Sequence, residues 1–300
     1  MNSDVYLYGM ILATNSFLLA GEYPKADTYG EIKQKFRLPG GETGSCATVL
    51  NSLGASVTMD GNHIGTNVKP VIEKFYQDKK VDLSPLTFDE AYEGLEDYVI
   101  IDQNTRTPFG SFNGYYSDSI KRWNTPKEEH ICQAKVAGID PFFGEQTILA
   151  AELCKKNGIP YVTIDSPYDS YLHRNAAINV VSNELIRSTY PDCERNELLE
   201  QFMEQSEGLT IITNGSKEFI YGRKSTGLKK FKPYSIQVVS TLGAGDTFKA
   251  GCVYALLHGM SDDETVQFAS ACSAVACTRF PLPLNPPTLE EVQKMIQSRP

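Results

Sequence analysis

Four consecutive residues, Gly243-Ala244-Gly245-Asp246, carry the clearest chemistry in this chain. Ahead of them, Ile236-Gln237-Val238-Val239 is an apolar run with β-branched residues and reads as a buried strand. Behind them, Thr247 to His258 reads as a helix. A strand entering a glycine-rich turn and then a helix is an anion-binding arrangement. The first helical N–H groups lack intrahelical partners, and the helix dipole adds partial positive charge there. Glycine lets a phosphate come close to that backbone. A carboxylate at Asp246 would repel the phosphate unless it has work to do. The work that fits is accepting a proton from a hydroxyl that attacks phosphorus. Two plainer readings stand beside this one: Asp246 as a helix N-cap, and the glycines as an ordinary tight turn. A dinucleotide fingerprint would need Gly where Phe248 stands, and no Gly-Lys pair exists for a Walker-type loop.

Composition sets the outer bounds. Three hundred residues suffice for one large domain with an appendage, or for two domains. The formal charge of −9 argues against nucleic acid or an anionic membrane as partner. Positive potential for a phosphate must therefore come locally, from backbone and metal. The seven cysteines include no C-x-x-C and no zinc spacing with histidine, so free thiols in a reducing cytoplasm are expected. No Lys or Arg precedes the apolar start at Val5, which argues against a signal peptide. No apolar run reaches the ~18 residues of a membrane span.

The elements that must position Asp246 follow from pattern. Val5 to Gly9 reads as a first buried strand. Tyr29 to Leu38 alternates, with Ile32, Phe36 and Leu38 opposite Glu31, Lys33, Lys35 and Arg37, and reads as a strand outside the main core. Pro39-Gly40-Gly41 breaks it, and a helix follows to Leu53. Tyr98 to Asp102 and Thr107 to Phe112 flank Gln103-Asn104-Thr105-Arg106 and read as a hairpin, with Pro108 marking an edge. Thr125-Pro126-Lys127-Glu128, Ser261 with Glu264, and Thr288 with Glu291 read as capping boxes. From about residue 117 onward strands alternate with helices, so the expected fold is α/β, a doubly wound, mostly parallel sheet. The β segments within 13–38 and 93–116 belong to no β-α unit and would form a small β-sheet lid. The α/β body would then comprise residues 1–12, 39–92 and 117–300.

Thr241-Leu242-Gly243-Ala244-Gly245-Asp246-Thr247-Phe248 resembles the C-terminal signature of the ribokinase-like (PfkB) carbohydrate kinases, of the ketohexokinase/fructokinase kind. Pro39-Gly40-Gly41-Glu42-Thr43-Gly44-Ser45 resembles that family's N-terminal di-glycine signature. Relatives usually carry Asn at the position of Ser45. An acid is usual where Thr14 falls, and Ser240 replaces the Asp that usually opens the C-terminal motif. The resemblance implies an α/β body, a β lid over the acceptor, ATP and Mg²⁺ as cofactors, and phosphoryl transfer to a hydroxyl of a small sugar or polyol. Asp246 would be the general base, with Gly243, Ala244 and Gly245 as the backbone anion hole. Thr14, Gly40, Gly41, Glu42, Ser45 and Arg106 fall where relatives hold the acceptor. Asn183 and Glu184 resemble an N-x-x-E element, out of register because Ile186 stands where Glu is usual; Glu184 is the candidate Mg²⁺ residue. Thr213, Gly215 and Ser216 resemble a nucleotide turn. A nucleoside kinase, with Phe109, Phe112, Tyr115 and Tyr116 as an aromatic shelf, and a non-catalytic scaffold remain alternatives. Neither nucleic acid nor membrane is an expected partner, and the lid leaves an edge for a homodimer.

Overall fold

The computed structural model describes residues 3–102 and 105–299. Fifteen strands are described: β1 Val5–Gly9, β2 Leu12–Leu19, β3 Ile32–Gly40, β4 Val57–Gly61, β5 Ile64–Gly65, β6 Val81–Asp82, β7 Phe88–Asp89, β8 Glu96–Ile101, β9 Arg106–Gly110, β10 Val136–Ile139, β11 Tyr161–Ile164, β12 Ile178–Val181, β13 Leu209–Ile212, β14 Phe219–Arg223 and β15 Gly227–Phe231. Nine form one sheet in the order β15-β14-β13-β12-β11-β10-β1-β4-β6, parallel except for the last two strands of the chain. Strands β1, β4 and β10 to β13 are buried along their whole length. A parallel sheet covered by helices on both faces requires this. Within β1 the alternation divides two cores: Val5 and Leu7 pack with the helices at 41–52, 244–257 and 262–277, while Tyr6 and Tyr8 pack with the helix at 145–156.

The strand order reverses direction at β1. The chain runs outward through β4 to β6, returns, and proceeds from β10 the other way. A crevice opens beyond the carboxyl ends of strands at such a switch. The smaller sheet lies over it, in the order β3-β2-β8-β9. Strand β2 pairs antiparallel with β3 and parallel with β8, and β9 closes the far edge against β8. Pro108 lies on that edge strand, as its missing N–H demands.

Three expectations are corrected. Residues 236–239 form no strand: Val238 and Val239 are 51% and 43% exposed. The segment is held instead by Val239 and Ser240 N–H bonds to the Cys277 carbonyl, at the end of the helix Asp262–Cys277. Apolarity alone does not make a strand when no neighbour offers a ladder. Thr125 caps nothing: the helix there is Glu128–Ile131, Lys127 occupies the cap, and no side chain bonds it. The edge strand β3 starts at Ile32, not Tyr29, and Ile32 is itself 47% exposed. The turn residues Gln103 and Asn104 lie outside the described residues. Both C-terminal capping boxes are formed, at Ser261 and Thr288.

The outer strands of the smaller sheet bury little: β3 is exposed over residues 32–35, and β9 is exposed along most of its length. We expect amides of 32–40 and 106–110 to exchange with solvent much faster than those of β1 and β10 in the free protein, as measured by hydrogen–deuterium exchange. Equal protection would mean that the smaller sheet does not open independently.

Candidate active site

The helix that carries Asp246 spans Ala244–Leu257 and is capped by Gly243 in the left-handed region, at φ 76°. A Cβ there would also press on Leu282. Asp246 is the third helical residue, so it is not the N-cap, and it makes no capping bond. The Ala244 N–H is donated to the Thr241 carbonyl at 3.2 Å. It is therefore engaged, contrary to its expected place in an anion hole. The N–H groups of Gly243, Gly245 and Asp246 donate to no acceptor among the described residues, and the space beside Gly245 is open. An anion seated there would meet unpaired donors at the positive end of the dipole.

A cavity of about 410 Å³ lies between the two sheets at this helix end. Its body side includes Gly41, Glu42, Ser45, Leu242, Gly243 and Asp246. Its other side is the inner face of the smaller sheet: Thr14, Ser16, Leu38, Asp97, Val99 and Pro108. Glycines make the approach of these walls possible. A Cβ on Gly40 would overlap the Thr14 hydroxyl, and one on Gly41, at φ 75°, would press on the Met10 carbonyl. Arg106 reaches across from β9 and donates to the Thr241 carbonyl and hydroxyl at 3.1 and 3.2 Å. Phe36 of β3 packs edge-on against Phe280.

Behind Asp246, one turn along the same helix, Lys249 forms an ion pair with Asp140, and both side chains are fully buried. Thr43 donates to the other Asp140 oxygen at 2.8 Å. Enclosure pushes the Asp246 carboxyl up to about 6; Lys249 pulls it down, Asp140 raises it, and a bond from the Ser45 hydroxyl lowers it. Glu42 lies well above the usual carboxylate range, through enclosure first and then the nearby charges of Asp246 and Asp140. Glu42 and Asp246 thus compete for negative charge in one cavity.

Of the residues read from sequence, Thr14, Gly40, Gly41, Glu42, Ser45, Arg106, Glu184, Gly243 and Asp246 all line this cavity. Asn183, Thr213, Gly215 and Ser216 do not. Asn183 opens the helix after β12, where its amide bonds Asn214 at 3.4 Å and its oxygen accepts from Arg195. Arg195 also bonds the Thr213 carbonyl at 3.2 Å, so the turn after β13 is tied to the end of β12. Gly215 and Ser216 are exposed on that turn. Ile186 is buried, and Glu184 is exposed. Of the aromatic residues, Phe109 and Phe112 line the cavity, whereas Tyr115 is buried against Trp123.

Sequence reasoning missed Asp97, the Lys249–Asp140 pair and the wall formed by Pro281, Leu282 and Pro283. Two signals were present. Leu95, Asp97, Val99 and Ile101 alternate on one face, with a lone carboxylate among apolar residues. Lys249 is the one cation in its helix, and every residue after it there is uncharged.

The chain belongs to the pfkB family of carbohydrate kinases, whose family profile matches residues 21–288. It is 29% identical over 157 residues to a ribokinase of Haemophilus influenzae. That alignment covers 50% of this chain and 51% of the other, so the chain spans about half the length of that curated relative. The fold is that of an Arabidopsis thaliana ribokinase solved with ribose and ATP, with a TM-score of 0.79, 17% identity and 99% of both chains covered. A nucleoside kinase of Methanocaldococcus jannaschii, an archaeal member of the ribokinase family, has it too, with a TM-score of 0.77, 17% identity, and 99% and 98% covered. The described residues include no helix long and apolar enough to cross a membrane, and all seven cysteines are free.

Replacing Lys249 by Met leaves Asp140 buried without its cation. We expect Lys249→Met to lose about 3–5 kcal/mol of stability, and Lys249→Met with Asp140→Asn to regain much of it. Urea denaturation of both variants measures this; an undiminished single variant would show that the pair does not hold the fold.

Proposed function

We propose that the protein is an ATP-dependent kinase acting on a hydroxyl of a small sugar or polyol. One observation carries the reading: a carboxylate in the first turn of a helix, beside unpaired N–H groups, on the wall of a cavity between two sheets. Family membership supports it. The acceptor hydroxyl gives its proton to ionised Asp246 as its oxygen bonds the γ-phosphorus. The bond to the leaving nucleotide oxygen breaks, and the electron pair departs with ADP. Gly243 and Gly245 N–H groups face the charge that develops on the transferring group. Asn183, Thr213, Gly215 and Ser216, at the neighbouring strand ends, are the residues we assign to the nucleotide. The residues fit Mg²⁺ as well. Among the described residues no three His, Cys, Asp or Glu cluster into a cage, and the exposed Glu184 carboxylate lines the cavity. Magnesium is typically held by one or two carboxylates together with nucleotide phosphates and water. When bound, it would neutralise charge on those phosphates.

Residues 13–38 and 93–116 then act as a lid on a body of residues 1–12, 39–92 and 117–300. Closing the lid excludes water, which otherwise competes as acceptor. Exposed Tyr29, Ile32 and Tyr98 give the lid an outer apolar surface for a homodimer. A second reading, a nucleoside as acceptor, is favoured by Phe109 and Phe112 on the cavity wall. ADP release across D-ribose, D-fructose, ribitol and adenosine separates the two readings, and release with none of them would overturn the kinase assignment.

Asp246→Asn is expected to retain ATP binding while kcat falls about 10²–10⁴-fold. A base works only when ionised, and the Asp246 carboxyl sits at about 6. Activity of the wild type should therefore rise with pH through a midpoint near 6 and then level off, as read from kcat/KM profiles. An acid limb that persists in the Asn variant would assign it to another group.

A further inference from the structure

Asp97 is the carboxylate on the inner face of the smaller sheet that faces the cavity. The parallel register of β2 and β8 sets it directly beside Thr14, whose hydroxyl bonds it. Its Oδ1 is shut off from water and has no hydrogen-bond partner among the described residues. Val99, on the same face of β8, and Leu12 and Leu38 on the neighbouring strands supply no donors. A carboxylate in a dry wall costs free energy for each oxygen left without a donor. This one is short of donors, and enclosure pushes its carboxyl up to about 6. Packing gives no reason for an acid at this place, since an apolar residue would continue the face formed by Leu95, Val99 and Ile101. Across the cavity stands Glu42, whose carboxylate, when ionised, only accepts.

We propose that Asp97 binds the acceptor, taking at its cavity-facing oxygen, rather than at the enclosed Oδ1, a hydrogen bond from a hydroxyl other than the one that reacts at Asp246. Resting on the kinase reading above, this deepens it. The acceptor must present donors to two opposite walls, which fits a small polyhydroxylated molecule and disfavours a ligand whose far end is a flat base. Part of acceptor recognition then resides on the sheet that covers the site.

The test compares wild type and Asp97→Asn in steady-state ADP release with D-ribose, D-fructose and ribitol. The change is nearly isosteric and removes an enclosed charge, so the thermal midpoint should hold or rise. We expect the acceptor KM to rise about 10- to 100-fold, with the KM for ATP unchanged. Single-position deoxy analogues of the acceptor give an arm that does not depend on a variant. One deoxy position should weaken the wild type as much as Asp97→Asn does, and should add nothing in the variant. An unchanged acceptor KM, or a falling thermal midpoint with the KM values for acceptor and ATP raised alike, overturns the assignment and makes Asp97 structural. Absence of ADP release from every acceptor overturns the kinase reading itself, and this inference with it.

Discussion

The ion pair between Lys249 and Asp140 is the constraint on which the site depends. Two charges removed wholly from water must satisfy each other, and this fixes the elements that carry them. Asp140 follows β10 at the switch point, and its backbone N–H bonds the Tyr8 carbonyl of β1 at 2.9 Å. Its carboxylate occupies the space a side chain on Gly9 would fill. Thr43 brings the helix at 41–52 to the same carboxylate, and Lys249 brings the helix at 244–257. Both helix starts that face the cavity are thereby pinned to the end of the central strand. Burial is the largest influence and would depress Lys249, yet its pKa is raised, because Asp140, Cys46 and Asp246 together outweigh the loss of solvent. Such pairs cost about as much in desolvation as they return in attraction. Their value here lies in geometry.

The cavity is acidic beyond what a base requires. Asp246, Glu42 and Asp97 all line it, and the guanidinium of Arg106 already donates to Thr241. Enclosure raises each of the three carboxyls. On the proposed kinase reading, such a chamber would repel anions from its acceptor end while the unpaired N–H groups at the helix end receive them, and a phosphorylated product would be poorly placed to remain.

Much of this was legible in the sequence where a few neighbouring residues decide the conformation. Gly243 must adopt a left-handed conformation, and Gly40 and Gly41 must let Thr14 and Met10 close in, so the local run announces the turn. Repeated β-α alternation announced the large sheet. What the sequence concealed is set by pairing between distant segments. Asp97 has meaning only beside Thr14, and Lys249 only against Asp140. Ile236 to Val239 shows the reverse error: four residues suited to a strand find only the Cys277 carbonyl and stay at the surface. The sequence pattern places the start of β8 at Tyr98, two residues after its observed start at Glu96, and that displacement hides the carboxylate.

The parallel pairing of β2 with β8 has a consequence for how the chain reaches this state. Strands β2 and β3 are neighbours in sequence and leave synthesis together, but a two-stranded ribbon is marginal in water. The strand that completes their sheet comes only after β4, β6 and the helices between them have been made. At 5–20 residues per second the ribosome takes roughly several seconds to supply it. Through that interval the inner edge of β2 presents unpaired backbone groups, a template for another chain. The charges along β3, Lys33, Lys35 and Arg37, stand guard on the opposite edge of the same ribbon. The sheet that walls one side of the cavity is thus not secured until β8 is made, and the nascent protein must stay soluble while it waits.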